Sequence, residues 1–283
     1  MSRLSPKKVW AITLGMLAWS SLSAADPLSG LRFAATLDSI RIYAGPGDVV
    51  VRSFRLTTEK DQRRAFFRAR TEDWWPSEDG RQSFYRKAGT LKQSCAPWVA
   101  LNPVEAIIEP GETLDLKISV SIPQSLDSGG YWCVLTVDEI LDPTVQTDGI
   151  TMRFLASVSV GIFVYIEPVE RAAQITNVSI LPDRAEVRLT NQGNSPLGVE
   201  GRIEFRRPGE EKPAAVVQVN RRTVVPEPVR TVLLSSQLPE NNVLPSGRYL
   251  VRVILDIGLD SYIGVEKVLE VSREPTPAQK PMR

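Results

Sequence analysis

The chain has 283 residues, of which 42% are hydrophobic and 24% are charged, with 21 prolines and 18 glycines. This composition is typical of globular proteins, and the length predicts about two domains. The formal net charge of +1 gives no electrostatic footprint for nucleic acid or for an anionic membrane surface, so neither is expected as a partner.

Residues 1–25 have the pattern of a secretory signal peptide. A basic start precedes an apolar run over 9–22, and Ser23-Ala24-Ala25 supplies small residues for cleavage. The alternative is a membrane anchor, but the run is shorter than the roughly 20 apolar residues that a span requires. We therefore expect an exported protein that is periplasmic, secreted or part of the cell envelope, with no integral membrane segment after the signal is cleaved.

Cys95 and Cys133 are the two cysteines of the chain. An even number of cysteines in an oxidising compartment favours a disulfide bond between them. The alternative is two separate buried thiols.

Short alternating strands separated by turn residues follow one another up to residue 167. The clearest is 114–122, where apolar and polar residues alternate between Pro110-Gly111 and Pro123. Residues 73–80 are expected to form a loop that carries Trp74 and Trp75. The last and longest strand of this half is predicted at 152–166. Further strands are predicted at 37–42, 49–56, 65–72, 98–101 and 131–137.

A second series of strands follows the boundary at Glu167-Pro168, and no stretch shows helical periodicity. These strands are predicted at 173–181, 185–190, 198–206, 215–219, 231–234, 247–257 and 262–271. The pattern predicts an all-β protein with two immunoglobulin-like antiparallel β-sandwich domains in tandem. The domains are expected at 30–167 and 168–272, before a disordered proline-rich tail at 273–283.

The motif Gly129-Gly130-Tyr131-Trp132-Cys133 is typical of immunoglobulin-type sandwiches. Such sandwiches place a tyrosine two residues before a core cysteine, and its hydroxyl group ties a corner of the fold. Gly247-Arg248-Tyr249 repeats the corner in the second half. The antibody pattern would need the second cysteine within 49–57, which has none, so the motif indicates the broad sandwich class.

The first domain resembles that of bacterial envelope proteins related to the periplasmic pilus-assembly chaperones. The resemblance is carried by Ala96-Pro97-Trp98-Val99, Pro110-Gly111-Glu112 and Gly129-Gly130-Tyr131-Trp132. Asn191-Gln192-Gly193-Asn194 and Leu244-Pro245-Ser246-Gly247-Arg248-Tyr249 are similar to the second domain of the same proteins. The resemblance spans most of the chain after residue 25 and implies two immunoglobulin-like domains.

The resemblance also implies a binding site for an exported protein client. Pilus chaperones hold the client's C-terminal carboxylate with an arginine and a lysine, and complete its fold by β-strand addition from a long strand. Arg41 corresponds to the arginine, and 152–166 corresponds to the long strand, but 161–166 contains no lysine. One face of that strand carries the candidate client-binding residues Phe154, Ala156, Val158, Val160, Ile162 and Val164. The alternative is a strand covered on both faces.

Enzyme chemistry finds little support. The chain contains no histidine, which excludes Ser/His/Asp and Cys/His catalysis and histidine metal sites. It has no phosphate-binding glycine loop and no calcium loop. A hydrolase that uses only carboxylates for catalysis is the remaining enzymatic alternative. We expect a protein that is not an enzyme and that needs no cofactor or metal.

The sequence therefore favours a chaperone-like protein that binds an exported client by β-strand addition, in the assembly of a pilus, fimbria or other surface structure. A structural or adhesive module of the envelope is the alternative. A third hypothesis is a glycan-binding module, in which Trp74 and Trp75 form an aromatic surface for a sugar.

Overall fold

The computed structural model describes residues 33–35, 39–58, 60, 64–140, 145–147, 150–152, 155–181, 183–238 and 244–271. The predicted signal peptide, Phe154 and the predicted tail at 273–283 lie outside these residues. Within them the chain forms β-strands and one 3₁₀ helix, Ala96–Trp98. None of these residues belongs to a helix that is long and apolar enough to cross a membrane.

The first sandwich is built from two facing sheets and a small hairpin. One sheet has the strand order β1-β3-β8-β6, and the other has the order β2-β12-β9-β4-β5, with β7 also paired to β4. The hairpin consists of β10 and β11. The strands are β1 (Phe33–Ala35), β2 (Ser39–Tyr43), β3 (Val49–Thr58), β4 (Ala65–Pro76), β5 (Ser83–Lys87), β6 (Val99–Asn102), β7 (Glu105–Ile108), β8 (Thr113–Ser121), β9 (Gly129–Ile140), β10 (Val145–Thr147), β11 (Ile150–Met152) and β12 (Leu155–Ile166).

The alternation in β8 shows why these residues form a sandwich. Leu116, Ile118 and Val120 are fully buried, whereas Asp115 and Lys117 between them are exposed. Side chains of a strand point alternately to the two faces of the sheet, so one face of β8 enters the core and the other faces solvent. The same core receives the inward side chains of β9 and β12.

The second sandwich packs the sheet β13-β14-β17 against the sheet β16-β15-β18-β19. Its core contains Phe205, Tyr249 and Val253, among other buried side chains. The two tandem immunoglobulin-like sandwiches confirm the predicted fold class. The strands are β13 (Ala173–Ile180), β14 (Arg184–Asn191), β15 (Leu197–Arg206), β16 (Ala215–Val224), β17 (Thr231–Gln237), β18 (Gly247–Asp256) and β19 (Ile263–Val271).

Cys95 and Cys133 form the predicted disulfide bond, with their Cα atoms 5.3 Å apart. Both residues are fully buried. The bond joins the segment before the 3₁₀ helix to β9, and main-chain hydrogen bonds continue the connection. The Cys95 N–H donates to the Trp132 carbonyl at 3.2 Å, and the Trp132 N–H donates to the Gln93 carbonyl at 3.0 Å.

Each sandwich contains a tyrosine corner at the predicted position. The Tyr131 hydroxyl donates to the carbonyl oxygen of Asp127 at 2.9 Å, and the Tyr249 hydroxyl donates to the carbonyl oxygen of Pro245 at 3.0 Å. In both cases the acceptor lies four residues before the tyrosine. The hydrogen bond therefore connects the start of a central strand to the loop that enters it.

Replacing Tyr249 by phenylalanine should lower the free energy of unfolding by about 1 kcal/mol, because the partly buried Pro245 carbonyl loses its donor. Tyr131→Phe should have a similar effect in the first sandwich. Tyr262→Phe is the matched control, since Tyr262 is 68% exposed. Equilibrium denaturation would measure the three variants, and equal stability of all three would contradict a structural role for the corners.

Two strand predictions were wrong in detail. Residues 73–80 do not form one loop, because β4 continues to Pro76 and pairs Trp74 with Tyr85 and Trp75 with Phe84. These aromatic cross-strand pairs stabilise the hairpin formed by β4 and β5. The acidic and turn-forming residues next to the tryptophans had instead indicated a loop. The predicted strand 152–166 is divided: Met152 ends β11, which pairs with β10, and β12 begins at Leu155.

The junction between the sandwiches is held by the loop that follows β14. The Asn194 carbonyl accepts hydrogen bonds from the Gly130 N–H at 2.9 Å and from the Gln93 side chain at 3.3 Å. The Asn194 side-chain oxygen accepts a bond from the Glu170 N–H at 2.8 Å. A Cβ atom at Gly130 would lie 2.5 Å from Pro196 Cδ, so only glycine permits this approach.

A second contact joins the turn after β4 to the outer edge of β17. The Leu233 N–H donates to the Glu78 carbonyl at 2.7 Å. The Glu78 carboxylate also forms an ion pair with Arg188 of β14. The two sandwiches are therefore connected by two separate sets of contacts.

Candidate functional site

Strand β12 has a different environment in its two halves. Its whole length pairs antiparallel with β9 on one side. On the other side β2 pairs in parallel with residues 161–165. Among the residues that the structure describes, 155–160 therefore have a strand on one side only, and their remaining main-chain groups form what we call the open edge.

The candidate client-binding residues of β12 lie on its core face. Val160, Ile162 and Val164 are fully buried within the first sandwich, and Val158 is half-buried. Ala156 belongs to the same strand, and Phe154 is outside the described residues. The buried side chains fill the protein's own core, so any contact of a client with this part of β12 would use the main chain of the open edge.

The outer face beside the open edge is polar. Ser157 and Ser159 are exposed, and the Ser157 hydroxyl donates to Asp138 at 2.6 Å. Asp138 is also ion-paired with Arg70. The outer face beside the open edge therefore carries hydroxyl and charged groups.

Arg41 lies where the open edge ends. It is exposed on the outer face of β2 and is the register partner of Phe163 on β12. Next to it is a cleft of about 740 Å³ at the junction of the two sandwiches. We call this the junction cleft. Its lining comprises Ser39, Arg41, Trp74, Ser83, Tyr85, Val134, Ser159, Gly161, Phe163, Tyr165, Pro196, Leu197, Gly198, Arg221, Arg222 and Thr223.

One wall of the junction cleft is aromatic. The ring of Phe163 meets Trp74 edge to face, with centroids 6.5 Å apart. A Cβ atom on Gly161 would lie 2.8 Å from the Phe163 ring, so the glycine allows the ring to fold back over β12. Phe163 is the register partner of Arg41 on β2.

Tyr165, which also lines the junction cleft, contacts an aromatic ring and a guanidinium group. It stacks on Tyr43, with centroids 4.9 Å apart, and the Arg171 guanidinium lies 5.3 Å from its ring centroid. Burial raises the pKa of the Tyr165 hydroxyl, and the nearby Tyr43 raises it further, against the opposing charges of Arg171, Arg41 and Arg221. The phenol therefore keeps its proton at neutral pH and remains a hydrogen-bond donor.

Trp74 and Trp75 both contact other residues of the first sandwich. The Trp74 indole N–H donates to the Cys133 carbonyl at 3.3 Å. The Trp75 ring packs against Phe84 at 5.9 Å, and the Arg86 guanidinium lies 5.8 Å from its centroid. Both tryptophans are half-buried. Their rings contact different partners, and a sugar-binding role for them stays a hypothesis.

Sequence reasoning missed the contribution of the second sandwich to this site. Arg221 and Arg222 line the junction cleft together with Arg41. A signal was present in the sequence, because the alternation from Ala215 to Val219 breaks at Asn220, immediately before the two arginines. The junction cleft has no aspartate or glutamate in its lining.

Comparisons with known proteins find similarity at the level of structure. No protein-family model and no curated protein matches the sequence. The chain is similar to the CsuC–CsuE chaperone–tip adhesion subunit complex of Csu pili from Acinetobacter baumannii, at 16% identity and a TM-score of 0.45, covering 84% of this chain and 97% of that one.

Two further chaperone structures are similar to a comparable extent. The YadV chaperone has 11% identity and a TM-score of 0.45, with 85% of this chain and 100% of that chain covered. The CupB2 chaperone of Pseudomonas aeruginosa has 13% identity and a TM-score of 0.43, with 84% of this chain and 100% of that chain covered. Each of these three matches covers at least 84% of this chain.

Proposed function

We propose that this chain is a periplasmic, chaperone-like protein without enzymatic activity. Its client is an exported protein, such as a subunit of a pilus or other surface structure, which it binds by β-strand addition. The observation that carries the proposal is the open edge of β12, which runs directly into the arginine-lined junction cleft.

The open edge provides the binding energy. Unpaired N–H and C=O groups at the side of a sheet accept a strand from another chain, and their hydrogen bonds do not depend on the client's side chains. Because β9 occupies one side of β12, the ladder would extend from an existing sheet, and the client strand would take the position in line with β2.

The junction cleft favours one direction for the client strand. β2 runs parallel to β12, and its Ser39 pairs with Gly161, the residue immediately after the open edge. A client strand that ran in the same direction would bring its C-terminal carboxylate next to Arg41. The opposite direction would bring a positively charged N-terminus there. Electrostatics therefore favour the parallel arrangement, with the C-terminus in the junction cleft.

Proline at two consecutive positions of the open edge tests the proposal, because consecutive residues of an antiparallel strand direct their main-chain groups to opposite sides. Of Val158→Pro and Ser159→Pro, one removes a donor from the β9 ladder and destabilises the fold. The other removes a donor from the open edge, which a folded sheet tolerates. That second variant should bind a client-like peptide about tenfold more weakly, or worse, at unchanged stability.

The probe is a fluorescent peptide of alternating valine and serine with a free C-terminus, and its binding is followed by anisotropy. Denaturation curves of the same variants identify which proline disturbs the β9 ladder. If the well-folded variant binds as tightly as the parent, the open edge is not the binding surface. If the parent itself binds no peptide, the structural or adhesive module becomes the better hypothesis.

A further inference from the structure

Both sandwiches have long edge strands with unpaired main-chain groups besides the open edge of β12. Within the described residues, β19 pairs only with β18, and β16 pairs only with β15. β3 pairs with β8 from Val49 to Thr57, but on its other side β1 covers only 56–58. The free side of such a strand accepts an extended segment of another chain, including a second copy of the same protein, unless a local feature prevents it.

Lys267 lies on the core face of the edge strand β19. Its register partner on β18 is Val251, which is 1% exposed and belongs to the core of the second sandwich. Residues directly opposite each other on antiparallel strands share one face of the sheet, so Lys267 occupies an inward position. Val265 and Leu269, on the same face of β19, are half-buried against that core. Lys267 itself is exposed, since a long side chain on an edge strand reaches water past the rim of the core.

Arg52 and Arg222 show the same combination of an inward register position and an exposed side chain. Arg52 of β3 pairs with Ile118, and Arg222 of β16 pairs with Val199. Both partners are fully buried, whereas both arginines are exposed. Neither arginine nor Lys267 forms an ion pair with another described residue. Three long edge strands thus each carry one cation where the neighbouring strand places an apolar core residue.

The open edge of β12 has no such cation, because residues 155–160 contain no charged side chain. Two further edge strands are modified in other ways. β13 has a register shift between Ile175 and Asn177, and the N–H of Leu233 on β17 donates to the turn after β4. Bulges and covering segments also make an edge a poor template for another strand. Among the longer edges in the described part of the chain, the open edge is the one without a protecting feature.

We propose that Arg52, Arg222 and Lys267 prevent strand addition at the edges of β3, β16 and β19. A strand added to one of these edges would extend the core face past the inward cation and separate its charge from water. Removal of an ionised group from water without a counter-charge is strongly unfavourable, so these edges stay closed to other chains. This closure does not depend on the proposed function. Its consequence, that a client strand is directed to the open edge of β12, rests on that function.

Replacement of the cation by valine should open the edge to a second copy of the chain. Lys267→Val and Arg52→Val suit the test because neither residue lines the junction cleft. In sedimentation velocity over a concentration series, each variant should associate at a concentration about tenfold lower than the parent, or lower still. Hydrogen exchange locates the contact. With rising concentration, amide protection should increase in β19 of Lys267→Val and in β3 of Arg52→Val.

Two controls separate edge protection from a general effect of added apolar surface. Lys117→Val makes the same change at an exposed lysine of β8, which Ser53 and Asn102 flank on the two neighbouring strands. It should associate no more than the parent. Lys267→Glu keeps a charge at the edge and should also behave like the parent, because an inward carboxylate is equally unfavourable to bury. Denaturation midpoints show that each variant is folded.

The inference is overturned if Lys267→Val and Arg52→Val sediment like the parent at every concentration. Equal association of Lys117→Val would also overturn it, since apolar surface of any kind would then be the cause. Increased protection confined to strands other than β19 and β3 would have the same meaning, because the new contact would not use the opened edges.

Peptide binding tests the consequence for the client separately. With the fluorescent valine–serine peptide, Lys267→Val should bind one more peptide per chain than the parent, because a second edge then accepts a strand. Unchanged stoichiometry would contradict the view that the cation directs clients to the open edge. A parent that binds no peptide would contradict the proposed function, and the sedimentation and exchange results would still decide whether the cations close their edges.

Discussion

Replacing Trp132 by alanine should lower the free energy of unfolding by about 3–5 kcal/mol, the usual cost of removing a large aromatic side chain from a core. Trp132 is 1% exposed. It lies in a cluster with Phe163, Tyr165 and Val225, outside the two main cores. Its indole N–H donates to the Trp74 carbonyl at 2.9 Å. The substitution therefore leaves a cavity and an acceptor without its donor.

The same variant should alter how the two sandwiches unfold. Val225 belongs to the segment after β16. The cluster therefore joins the sheet β2-β12-β9-β4-β5 of the first sandwich to the second sandwich. Loss of Trp132 weakens this connection, and we expect two separate transitions in calorimetry. Trp75→Ala is the control, because Trp75 is half-buried and contacts the rim of the same cluster. Equal effects of the two substitutions would contradict the central position of Trp132.

Removing the disulfide bond should have a comparable effect on stability. The double variant Cys95→Ala/Cys133→Ala should be less stable by about 2–5 kcal/mol, because the open chain gains conformational freedom in the unfolded state. The bond spans 38 residues. Chemical denaturation of the oxidised parent and of the variant measures the difference.

Two controls separate the crosslink from the loss of the sulfur atoms. The parent unfolded in the presence of a reductant should approach the stability of the variant, since both then lack the crosslink. The single variant Cys133→Ala should match the double one. A parent that unfolds at the same denaturant concentration with and without reductant would show that the bond contributes nothing.

Much of the fold could be predicted from local pattern. The alternation in 114–122 corresponds to β8, and each of the seven strands predicted after residue 168 overlaps an observed strand. Tyr131 and Tyr249 identified the corners because a corner uses a hydroxyl and a carbonyl only four residues apart. Such features depend on residues close in sequence, and their signal is therefore visible in one short stretch.

The β4–β5 hairpin and the divided strand at 152–166 could not be read in the same way. Trp74 and Trp75 stand among acidic and turn-forming residues, and only their partners Tyr85 and Phe84 show that they belong to a strand. An apolar run such as 155–166 also looks the same whether its sides are paired or open. Pairing is a property of the neighbouring strands.

The candidate site illustrates the difference most clearly. Arg41 was identified from its motif, but its companions Arg221 and Arg222 lie about 180 residues away in the chain. The place of both arginines beside the junction cleft depends on the register between β15 and β16. A register is decided by the packing of the whole sheet, to which the arginines themselves contribute little.

The sequence by itself determined the all-β class, the tandem sandwiches, the cysteine pair and the tyrosine corners, because period-two alternation and short-range motifs are local physical constraints. Only the tertiary structure decided which half of β12 has an unpaired side and which arginines surround the junction cleft. Those features arise where strands distant in sequence meet, and their geometry depends on long-range pairing and on the close contact at Gly130.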